Sequence, residues 1–99
     1  MSDEVLEQKV PENLICFDEV LDITLVFQYY ERFNEILNKQ KSIVLNAEKI
    51  EKVDGAGLQL IATFIKSAET LNVQVTWSGI SDAFKKNASL IGLSSSLGY

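Results

Sequence analysis

Short, unbroken apolar runs alternate along this chain with stretches whose apolar residues recur every three to four positions, and that alternation restricts the fold more than any other feature. Leu14-Ile15-Cys16-Phe17, Ser42-Ile43-Val44-Leu45 and Val73-Gln74-Val75-Thr76-Trp77 have the length and apolar, β-branched content of strands. Leu25/Val26, Tyr29, Phe33 and Ile36/Leu37 form one helical stripe, and Gly57/Leu58, Ile61, Phe64/Ile65, Ala68 and Leu71 form a second. Ile80, Ala83/Phe84, Ala88 and Ile91 mark a third, shorter one. Residues 4–10 read as a further edge strand, separated from the next by the turn Pro11-Glu12-Asn13. The order β-β-α-β-α-β-α predicts an α/β fold with parallel neighbours joined by right-handed crossovers and helices packed on the sheet.

Local signals refine this order. Thr24 is the expected N-cap of the first helix, Asn38-Lys39-Gln40 its end, Asp54 and Asn72 the limits of the second helix, and Ser81-Asp82 the cap of the third. Ser42–Leu45 reads as a strand buried on both faces, Glu48–Val53 as a polar loop, and Ser94–Tyr99 as a frayed tail. Cys16 sits in an apolar run without basic neighbours, which predicts an inert thiol in the core. Tyr29 and Tyr30 are adjacent on a helix, so one of them is expected to be partly exposed.

A chain of 99 residues that is 46% apolar supports one domain over residues 1–99, with a core that needs no disulfide or metal. Its single cysteine closes no intrachain disulfide, and no run approaches the ~20 apolar residues of a spanning helix. The start, Met1-Ser2-Asp3-Glu4, is acidic where a signal peptide would be basic, so the expected location is cytoplasmic.

The chain has no histidine, which removes every Ser-His, Cys-His and His-metal arrangement. Carboxylates remain as acids or bases. Glu31 and Glu35 share a helical face at i, i+4, but Arg32 and the amphipathic pattern make that face a solvated one. Glu48, Glu51 and Asp54 are spaced by three, yet Lys49 and Lys52 interleave them and calcium-loop spacing is missing. No Gly-x-Gly-x-x-Gly or Walker pattern occurs. The expectation is a non-enzyme without cofactor or metal. Net charge is -5, and residues 1–22 carry seven acids against Lys9 alone, a net -6. Such a chain lacks the basic footprint of a nucleic-acid binder, and anionic membranes repel it.

The segment Val53-Asp54-Gly55-Ala56-Gly57-Leu58 is compositionally unusual, because two of the five glycines flank an alanine just before a helical stripe. Asp54 there suits an N-cap, and the nearly bare helix start leaves room for a close approach by another molecule. A strand such as Ile43-Val44-Leu45, a loop ending in Val53-Asp54, small residues before Gly57-Leu58, a strand like Val73–Trp77 and a late Gly92-Leu93 together resemble the STAS domain, shared by sulfate transporters and anti-sigma factor antagonists. The resemblance implies a mixed four-stranded sheet with about three helices mainly on one face, and a protein-binding role centred on Asp54, Gly55, Ala56, Gly57 and Leu58.

The phosphoregulated antagonists carry serine or threonine just before the glycine, often with another hydroxyl residue ahead of it. Here those positions are Ala56 and Gly55, so the phosphate acceptor is absent. The implied partner is an anti-sigma or kinase-like protein, or a protein of a receptor pathway. The alternative is a phospholipid-transport ABC ATPase, whose accessory STAS subunit often has threonine then alanine at these places.

The acidic opening segment carries its own expectation. Association with a basic partner should be faster at low ionic strength and slow as the Debye length falls below ~10 Å above 0.1 M salt. Stopped-flow rates that do not change with salt would show that these acids serve solubility alone.

Overall fold

The computed structural model describes residues 11–99. Its elements run β1 (Leu14–Cys16), β2 (Val20–Leu21), α1 (Val26–Lys39), β3 (Ser42–Ala47), β4 (Lys52–Val53), α2 (Gly55–Thr70), β5 (Gln74–Ile80), α3 (Asp82–Leu90) and α4 (Ser94–Leu97). Strands β1, β3 and β5 form one parallel sheet in that spatial order, and β2 pairs with β4 in a second, two-stranded parallel sheet. The α/β class holds, and β1, β3 and β5 alternate with α1, α2 and α3 in the expected order, while β2, β4 and α4 are additions the sequence pattern did not predict. The edge strand expected over residues 4–10 lies outside the described residues, so the main sheet shows three of the four expected strands.

Burial alternates along the sheet. Ile15 and Phe17 are buried while Cys16 is exposed, and Ile43, Leu45 and Ala47 are buried while Val44 and Asn46 are only half-buried. The helices therefore cover one face. Two expectations fall with this geometry, because a two-residue period sends neighbours to opposite faces. β3 is not buried on both sides, and Cys16 points away from the core as an exposed free thiol.

The core joins Ile43 and Leu45 of the sheet to Phe33 and Ile36 of α1, to Leu58, Ile61, Phe64 and Ala68 of α2, and to Phe84 and Ala88 of α3. Most of the expected stripe positions are buried or half-buried, but Leu71 and Ile91 are 55% and 48% exposed, because each is the C-cap residue where the helical period ends. Phe33 and Phe64 stack with centroids 4.1 Å apart and lock α1 against α2, while Phe17 meets the edge of Phe33 at 6.2 Å.

Two helix ends follow their sequence signals. Ser81 accepts a bond from the Phe84 N–H as the cap of α3. Asn72 takes a left-handed φ of 60° beyond α2, and the Val73 N–H closes back onto the Ala68 carbonyl. The start of α1 differs. Thr24 does not cap it, since the Asp22 carboxylate accepts both the Thr24 hydroxyl and the Thr24 N–H, and the helix begins after Leu25 with no side-chain cap. The segment Glu48–Val53 is not simply a polar loop. Ile50 is fully buried, and Lys52–Val53 forms β4.

The tail is also ordered, contrary to a frayed end. Gly92 adopts φ 76°, a conformation open to glycine, and lets the Leu93 N–H reach the Ala88 carbonyl, so the chain turns back as α4. Leu97 is completely buried, and its carbonyl accepts the Trp77 indole N–H at 2.8 Å. Tyr99 packs at 6.1 Å against Trp77 and 6.2 Å against Phe84. Three serines in a row hide this from sequence inspection, because Leu97 alone carries the apolar signal.

Phe64→Ala should cost about 3 to 5 kcal/mol and Leu97→Ala about 2 to 5 kcal/mol, each a large part of a small domain's stability. Urea denaturation checks both. A Leu97→Ala protein as stable as the parent would return the tail to a frayed end.

Candidate functional site

The unusual segment lies where the two small strands meet the first turn of α2. Val20 pairs with Lys52 and Leu21 with Val53, which carries the β2 end under the start of the helix. The Asp54 N–H donates to the Leu21 carbonyl at 3.2 Å. Its carboxylate then works in two directions, accepting the Gly57 N–H on Oδ1 at 2.8 Å and the Ile23 N–H on Oδ2 at 3.1 Å. Asp54 is thus the cap read from the sequence, and it also ties the β2–α1 connection to α2. Its charge already sits at the positive pole of the helix and disfavours a second anion there.

The two glycines have different reasons. A Cβ on Gly57 would lie 2.8 Å from the Leu21 carbonyl oxygen and 2.9 Å from Leu21 Cγ, so a side chain at this position would push α2 off β2. A Cβ on Gly55 would meet nothing within 4 Å. Internal packing therefore requires a glycine at 57 and makes no demand at 55.

The five singled-out residues divide by exposure. Asp54 and Gly55 are exposed and Ala56 is half-buried, whereas Gly57 and Leu58 are buried. Contact with another molecule here would fall to Asp54, Gly55 and Ala56, with Gly57 and Leu58 holding the corner in position. Beyond the corner, Gln59, Thr63, Lys66 and Glu69 are exposed on α2, and a shallow groove separates this face from Ser95 and Ser96 of α4.

The other chemical candidates stay apart. Among the described residues no three His, Cys, Asp or Glu side chains come together as a metal-binding group. Glu31 and Glu35 are exposed on α1. Asp22 has its carboxyl held below the ordinary carboxylate range, chiefly by the Thr24 hydroxyl. Burial pushes the Tyr29 phenol above its ordinary value, as the ring packs 5.2 Å from Phe17, while Tyr30 is the exposed member of the pair.

One feature beside the corner escapes the sequence reading. Ile23 and Phe27 are 70% and 67% exposed, although both are large and apolar. The available signal is that Phe27 falls off the stripe of Val26, Tyr29, Phe33 and Ile36.

The sequence model of the STAS domain family matches residues 8–98, nearly the whole chain. A search of curated proteins returned no match. No described helix is long and apolar enough to cross a membrane.

The two glycines are separable by experiment. Gly57→Ala should destabilise the fold by about 1 to 3 kcal/mol through overpacking against Leu21. Gly55→Ala should be neutral or up to about 1 kcal/mol stabilising, since alanine suits a helix better and meets no neighbour. Equal melting curves for the two variants would refute the distinction.

Proposed function

The chain belongs to the STAS domain family, and from that premise we propose that it is a non-catalytic interaction module. It acts in signalling, as an anti-sigma-factor-antagonist-like or chemotaxis-associated regulator, by docking a partner protein at Asp54–Leu58. STAS domains are generally binding modules that mediate protein–protein interactions. The observation that carries the reading is the bare surface at Gly55. Internal packing accounts for the missing side chain at 57 and leaves the one at 55 without an internal reason. A partner that approaches the backbone closely supplies an external reason.

The helix start is also hydrogen-bonded before any partner arrives. Asp54 fixes the first turn from both sides, so docking there orders little that is not already ordered. Ala56 offers no oxygen nucleophile, so binding at this corner is constitutive toward kinase and ATP. In a chain with a hydroxyl at that position, a phosphate would add about -1.5 to -2 charges beside Asp54 and repel an acidic or apolar partner surface. The alternative role, an accessory subunit of a phospholipid-transport ABC ATPase, uses the same corner and keeps alanine at position 56.

Affinity capture with mass spectrometry identifies the partner, and its class separates the readings. A kinase-like or receptor-array protein supports signalling, and an ABC ATPase supports transport. Titration of the captured protein with variants then tests the corner. Ala56→Asp and Gly55→Trp should abolish binding while circular dichroism and melting temperature stay near the parent, and Ala56→Ser should bind nearly as well as the parent. Normal binding by both folded disruptive variants would reduce the segment to a helix cap.

A further inference from the structure

Ile23, Phe27 and Tyr30 are 70%, 67% and 52% exposed, and they follow one another at i, i+4 and i+7 along the entry and outer face of α1. On α1 this spacing puts Phe27 and Tyr30 on one outward face, and Ile23 stands exposed in the turn that leads into the helix. The stripe is continuous with the corner described above, because the Ile23 N–H is bonded to the Asp54 carboxylate that caps α2. A stripe of this kind beside a bare helix start has the composition of an interface centre, where aromatic and aliphatic anchors dominate the binding energy.

Charge identifies what fits it. Between residues 18 and 35 the chain carries Asp18, Glu19, Asp22, Glu31 and Glu35 against Arg32 alone. Asp22 immediately precedes Ile23, and Glu31 lies one turn beyond Phe27 on the same face. The Arg32 guanidinium reaches the other way, toward the Leu14 carbonyl at the sheet edge at 3.5 Å. Asp22 and Glu31 therefore put acids beside the apolar residues, while Lys49 and Lys52 offset Asp18 and Glu19 on the β4 side. A second copy of the chain would bring two sets of these acids together, an anionic bilayer would be repelled, and residues 1–10 carry three acids against one lysine.

We propose that Ile23, Phe27 and Tyr30 form the anchoring half of the docking surface, and that they receive an amphipathic helix of a partner protein whose apolar face is flanked by lysine and arginine. The proposal rests on the corner being a docking site and extends it across α1. Phe27 fills the space between facing side chains of the partner helix, and Asp22 and Glu31 pair with its basic flank. These acids speed encounter and set orientation, and the apolar stripe sets residence time.

The test uses the full chain, isotope-labelled for NMR, and two synthetic helical peptides with leucine on one face and either lysine or glutamate on the other. The lysine peptide should shift the amide resonances of Ile23, Phe27 and Tyr30, with an affinity that falls as salt rises, and the glutamate peptide should not bind. Phe27→Asp should weaken the lysine peptide by at least about tenfold with an unchanged melting temperature. Leu90→Asp, at an equally exposed leucine on α3, should leave binding as it was.

Equal binding of both peptides, or shifts centred on Leu71 or Leu90, would overturn the proposal. So would contacts in the free protein between the Phe27 ring and the methyls of Val5 or Leu6, which would mean that the chain covers its own stripe. A dimer that Phe27→Asp dissolves would assign the stripe to a second copy instead. The native partner separates this inference from the corner itself. Loss of binding in Gly55→Trp but not in Phe27→Asp removes the stripe and keeps the corner, and the reverse removes the corner and keeps the stripe.

Discussion

Helix α2 begins where it does because its first turn lies against the backbone of β2, with Gly57 in contact with the Leu21 carbonyl and Asp54 bonded on both sides of that contact. A side chain at 57 would lift the helix, and the apolar stripe of Leu58, Ile61 and Phe64 would lose its register over Ile43 and Leu45 of the sheet. The same contact sets the direction in which the chain enters α1. Phe33 then meets Phe64 at 4.1 Å, so the two helices are referenced to each other through one small residue.

That arrangement leaves a surface whose parts come from distant places in the chain. Ile23 and Phe27 belong to the connection into α1, and Gly55 and Ala56 belong to the start of α2, yet one carboxylate holds them together. Its backbone is hydrogen-bonded internally through Asp54, and its exposed side chains are apolar with acids beside them. In the proposed docking, a backbone that is already bonded lowers the entropic cost, and the acids beside it select against anionic partners.

The stripes that form the core were legible because helix packing repeats. Phe33, Ile36, Ile61, Phe64, Ala68 and Phe84 all lie where a 3.6-residue period puts them, and each is buried in the core. Caps with a local mechanism were legible too, as at Asp54, Asn72 and Ser81. Features that depend on contacts between distant segments were not. The bridge between Val20–Leu21 and Lys52–Val53 consists of two residues on each side, too short for any periodicity. Leu97 is buried only because Gly92 turns the chain back toward Trp77. Thr24 fails as a cap for a local reason that the helical period does not report, since Asp22 accepts its hydroxyl.

Local composition and period establish the α/β class, the order of the main strands and helices, most of the inward helix positions and the small, uncharged character of positions 55 to 57. Tertiary structure alone decided which glycine is required, which apolar residues stay outside and what lies beside the helix start. The physical reason is that each depends on a distance between segments remote in the chain: Gly57 to Leu21, Asp54 to Ile23, Trp77 to Leu97. A stretch of sequence reports what its residues prefer, and only the packed chain reports which neighbours have taken the space.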